Sequence, residues 1–102
     1  MKKTAYELFK TMYIILDELW KENQKEDLRI YVSDANPLFH EDGRSLDPVV
    51  FEDFEAMYKQ KAQENMNEYD FIVYYLENLD PYYGNIKQYF LNVSKEEFES
   101  KL

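Results

Sequence analysis

Apolar residues recur along most of the chain at intervals of three and four, the spacing of one face of an α-helix. Ala5, Leu8, Phe9, Met12, Ile15, Leu16 and Leu19 make the first stripe. Thr4 precedes it and Glu7 follows three residues later, a capping box that predicts a helix over residues 4–23. Leu28, Tyr31, Val32 and Ala35 predict a second helix over residues 25–35, stopped by Asn36-Pro37 because proline disfavours helical backbone in the residue before it. A third helix opens at Asp47-Pro48, where an acceptor side chain meets a residue with no amide to satisfy. Val50, Phe51, Phe54, Met57, Tyr58 and Ala62 continue it. The run from Phe71 to Leu76 has strand propensity. Ile72, Tyr75, Leu76 and Leu79 nevertheless keep helical spacing, and no other segment offers a pairing strand, so residues 67–79 are predicted as a helix. Being apolar nearly all round, it is expected to be central and the most buried. Asp80-Pro81 repeats the acceptor-proline start and predicts a fifth helix through Ile86, Tyr89, Phe90 and Val93, its first turn loosened by Gly84. Ser94 and Glu97 form a second capping-box pattern before a short last helix with Phe98 and Leu102.

These elements predict an all-α fold: a single compact irregular bundle of five to six helices spanning residues 1–102, packed around the first, third and fourth. The one long connection is residues 36–47, a turn at Asp42-Gly43 with Leu38, Phe39 and Leu46 expected to pin it to the core.

Composition narrows the function. Hydrophobic residues are 45% of the 102 and aromatics 18%, too much apolar surface for a disordered chain. Cysteine is absent, which removes disulfides, thiolate metal sites and a cysteine nucleophile. The net charge is −9 and it is unevenly placed. Residues 1–30 hold six acids and six bases, whereas residues 31–102 hold fifteen acids against six bases. No basic cluster exists to meet phosphates, so neither nucleic acid nor an anionic membrane is expected as a partner. Glu7 and Lys10 interrupt the opening apolar run, and no stretch approaches the roughly 20 apolar residues of a membrane span, so a cytoplasmic protein is expected.

Candidate chemistry is sparse. His40 is the only imidazole, with Glu41, Asp42 and Asp47 nearby in sequence, but no nucleophile accompanies it, and a solvated loop histidine is the simpler expectation. Asp34 and Asn36 match the first two ligand positions of a calcium loop, yet Phe39 stands where glycine is needed. Two glycines cannot build a phosphate cradle. No metal, cofactor or catalytic residue is therefore expected.

The unusual feature is the ten tyrosines, six of which (Tyr69, Tyr74, Tyr75, Tyr82, Tyr83 and Tyr89) fall among acids in a short stretch. A core of this size cannot hide them all, and tyrosine on an acidic surface is the composition of a protein-binding patch. Asp70, Tyr74, Glu77, Asp80, Tyr82 and Tyr83 are the candidate binding residues. In size, charge and its tyrosine pairs, Tyr74-Tyr75 and Tyr82-Tyr83, the chain is similar to the small acidic helical immunity proteins that neutralise basic nuclease toxins. The likeness is of character rather than motif, since their Tyr-Tyr-Pro order is absent and Pro81 here precedes Tyr82. It implies an acidic, tyrosine-bearing patch that covers a basic protein surface. The expectation is a non-enzymatic protein-interaction module. It is either an adaptor that associates with itself, a homo-oligomer, or an inhibitor of a basic protein partner; an enzyme of unrecognised type is the remaining alternative.

Overall fold

The computed structural model describes residues 1–37 and 44–102. Helix α1 spans Ala5–Asn23, and its start is the full capping box: Thr4 Oγ1 accepts from the Glu7 amide at 3.1 Å while Glu7 Oε1 accepts from the Thr4 amide at 3.0 Å. Gln24 closes it in the left-handed region at φ 55°. Helix α2 spans Glu26–Ala35. Helix α3 spans Pro48–Ala62, with Asp47 Oδ1 accepting from the Val49 amide at 3.1 Å. A second cap at this start lies in buried Ser45, whose hydroxyl donates to the Asp47 carbonyl and accepts from the Phe51 amide. Helix α4 spans Glu68–Glu77 and is capped by Asn67. After a 3-10 turn over Pro81–Tyr83 come two short helices, α5 over Lys87–Phe90 and α6 over Lys95–Ser100, the latter capped by Ser94. The described residues contain no strand, and the fold is all-α.

Helix α3 bridges the molecule, packing on α1 at one side and on α4 at the other; α1 also packs on α2 and α5, and α4 on α5 and α6. Aromatic rings fill the junction. Phe54 meets Phe9, Phe71 and Tyr75 edge-on, with centroids 5.1, 5.2 and 4.8 Å away. That arrangement sets the positive ring edge against a negative face. The Cα radius of gyration, 12.5 Å, is close to the ~13 Å of a compact chain of this length.

Three expectations are corrected. The predicted fifth helix is broken: Gly84, at φ 75° and ψ −155°, turns the chain out of the 3-10 turn, and only Lys87–Phe90 recovers α geometry. Helix α4 is one-sided rather than buried all round, with Asp70 and Glu77 exposed and Val73 and Tyr74 half-buried. Leu46 does not pin the loop, being 47% exposed. The stem of that loop is held by backbone instead, the Leu46 amide donating to the Asn36 carbonyl and the Asp47 amide to that of Asp34, both at 2.9 Å. Leu38, Phe39 and His40 lie outside the described residues.

Candidate functional site

The end of α2, the start of α3 and the turn after α4 surround a cleft of about 460 Å³. The backbone clasp between Asp34 and Asp47 brings two carboxylates to one wall. Val50, Asp53 and Met57 supply a second wall from one face of α3, at the i, i+3, i+7 spacing that lines residues up along a helix. Tyr75, Asn78 and Leu79 come from the end of α4, and Asp80, Tyr82 and Tyr83 from the 3-10 turn. Asp80 is there because it caps that turn, its Oδ1 accepting from the Tyr82 amide at 2.9 Å.

Four carboxylates thus face one cavity. The ion pairs between described residues engage Asp17, Glu18, Glu26, Glu55, Glu64 and Glu77, and none of the four cleft aspartates. Among the described residues no three acidic or histidine side chains converge closely enough to hold a metal ion. The four cleft aspartates therefore do not close on one point as metal ligands do. The rim of the cleft is where apolar side chains stay in water: Val49 is 56% and Tyr82 72% exposed, and Leu46 precedes Asp47 in the chain.

The tyrosines behind the cleft are fixed by their hydroxyls. Tyr83 donates to Asp34 Oδ2 at 2.8 Å, and its ring stands perpendicular to that of Tyr31 at 5.1 Å. The Tyr31 and Tyr75 hydroxyls share a buried hydrogen bond at 2.7 Å. Tyr89 donates to Asp27 at 2.9 Å. Residues 27, 31 and 34 lie on one face of α2, so that face receives three tyrosine hydroxyls from the C-terminal half. Burial, then the bond to Asp34 and the negative charge around it, pushes the Tyr83 hydroxyl well above its ordinary range. Burial does the same to Tyr31 and Tyr75. All three stay protonated at neutral pH: Tyr83 donates to Asp34, and one of the buried Tyr31 and Tyr75 hydroxyls donates to the other.

Of the residues expected from sequence, Asp80, Tyr82 and Tyr83 line the cleft, and Asp70, Tyr74 and Glu77 do not. Tyr74 is half-buried with Lys61 Nζ over its ring at 4.4 Å, and Glu77 pairs with Lys87 at 2.8 Å. Asp34, Asp47 and Asp53 were missed as site residues. A signal for Asp53 exists: it is an acid three residues after Val50 and four before Met57, at the edge of an apolar stripe. The cleft walls carry carboxylates, phenols, one amide and aliphatic groups, a set that accepts hydrogen bonds and favours positive charge. Compared with known proteins, the chain matches no family model, no curated protein and no solved structure.

Proposed function

We propose that the chain is a non-enzymatic protein-interaction module that binds a basic protein through the face around this cleft. The observation that carries the reading is the meeting of four carboxylates, outside the ion pairs among the described residues, with exposed Val49 and Tyr82. Charge complementarity speeds encounter and selects the partner, while a desolvated aromatic supplies affinity. Self-association through the same face is disfavoured, because a twofold interface sets a patch against its own copy and would oppose carboxylates to carboxylates. The reading takes the protein as cytoplasmic, which the absence of cysteine permits and the acidic surface suits. No described helix is long and apolar enough to cross a membrane.

The immobilised chain, exposed to a cell extract, should retain proteins of high isoelectric point and release them at high salt. The Asp53→Asn/Asp80→Asn double variant should retain far less, while asparagine still caps the 3-10 turn. Retention of the same proteins by both forms, or a salt-resistant dimer in sedimentation, would overturn the proposal.

A further inference from the structure

Resting on that reading, we infer that the group the partner inserts into the cleft is an arginine side chain, selected over lysine. The placement of the carboxylates carries the inference. Asp34, Asp47, Asp53 and Asp80 reach the cavity from the end of α2, the α3 cap, the first turns of α3 and the 3-10 turn, and no three acidic or histidine side chains among the described residues converge on one point. A metal ion or an ammonium is a compact charge and gains most from converging ligands. A guanidinium is a planar fork of five N–H donors that addresses acceptors set apart around it. The acceptors are also presented for it: Asp47 and Asp80 each use Oδ1 on a helix cap, which orients the carboxylate and leaves Oδ2 outside the cap.

The remaining walls suit the rest of that side chain. Val50, Met57 and Leu79 provide apolar surface for its methylenes. Half-buried Tyr83 has its hydroxyl tied to Asp34, so it offers ring surface, on which guanidinium stacks better than ammonium. A volume of about 460 Å³ lies within the roughly 300–1,000 Å³ of pockets that enclose small ligands. Exposed Val49 and Tyr82 stand at the mouth, where contact with a partner would exclude water from the charge pairs inside.

The test titrates isotope-labelled protein with N-acetyl-arginine N-methylamide and, separately, with its lysine counterpart, following backbone amide resonances. The arginine compound should move the amides of Asp47, Asp53, Asn78, Asp80 and Tyr82 and saturate at a concentration several-fold lower than the lysine compound. Asp53→Asn should weaken arginine several-fold, and Asp70→Asn, an acid outside the cleft, should leave it unchanged. If Asp53→Asn does not fold, Asp80→Asn, which keeps a capping oxygen, makes the same comparison. Equal saturation by both compounds, shifts scattered over the acidic surface, or insensitivity to both cleft substitutions would overturn the inference. Such a result alongside continued charge-dependent capture of a basic protein removes only the arginine anchor; loss of that capture removes the reading beneath it.

Discussion

Gly84 holds a backbone conformation, φ 75° with ψ −155°, that is almost closed to any residue with a Cβ. A methyl group added there would meet Asp27 only at 3.5 Å, an ordinary contact, so the constraint is conformational and not steric crowding by neighbours. Gly84→Ala should therefore lower stability by about 1–3 kcal/mol in denaturant melts. An unchanged midpoint would mean that the turn relaxes into another geometry. This position also marks where local reasoning fails. The spacing of Ile86, Tyr89, Phe90 and Val93 fits a helix running from Pro81, and all but Tyr89 are indeed buried. Periodicity records which side chains face the core, whereas the sign of one φ angle decides whether the backbone between them is continuous.

The starts of helices α1 and α3 were legible to the residue because they are chemical: Thr4 with Glu7 and Asp47 with Pro48 satisfy or remove the amides that a helix leaves unpaired. The contribution of buried Ser45 to α3 was hidden, since it depends on the loop stem closing first. In α1, the bond from the Thr4 amide, seconded by the Thr4 side chain, lowers the Glu7 carboxyl below its ordinary 4.5. A depressed carboxyl adds stability above the unfolded value and loses it as pH falls through the folded one. Glutamine can make the same reciprocal bond without charge. Wild type should accordingly melt higher than Glu7→Gln near neutrality, and the gap should close as the pH drops below 4.5. A gap of constant size in acid would show that the carboxylate charge contributes nothing to the cap.

Across the whole molecule, three of the six residues expected from sequence line the cleft. Asp80, Tyr82 and Tyr83 are nearly consecutive, so any fold keeps them together. Asp34, Asp47 and Asp53 join them only through the loop clasp and the packing of α3 on α4, which no local pattern encodes. Asp70, Tyr74 and Glu77 share a face of α4 that is one residue out of step with Tyr75 and Asn78, and one residue is about 100° of rotation. The row of tyrosine hydroxyls on α2 has a kinetic meaning. Its three bonds join residues 62, 44 and 49 positions apart, so each requires a long loop to have closed already. We expect these hydroxyl bonds to form after the rate-limiting barrier, and interactions absent at the barrier govern how slowly a protein comes apart. Tyr83→Phe and Tyr89→Phe keep the rings and delete the hydroxyls. In stopped-flow experiments their unfolding limbs should rise, by roughly tenfold for each 1.4 kcal/mol lost, over unchanged folding limbs. Slower folding in either variant would place these contacts before the barrier instead. Phenylalanine at these positions would give a chain that assembles just as fast; the hydroxyl oxygens lengthen the lifetime of what it assembles into.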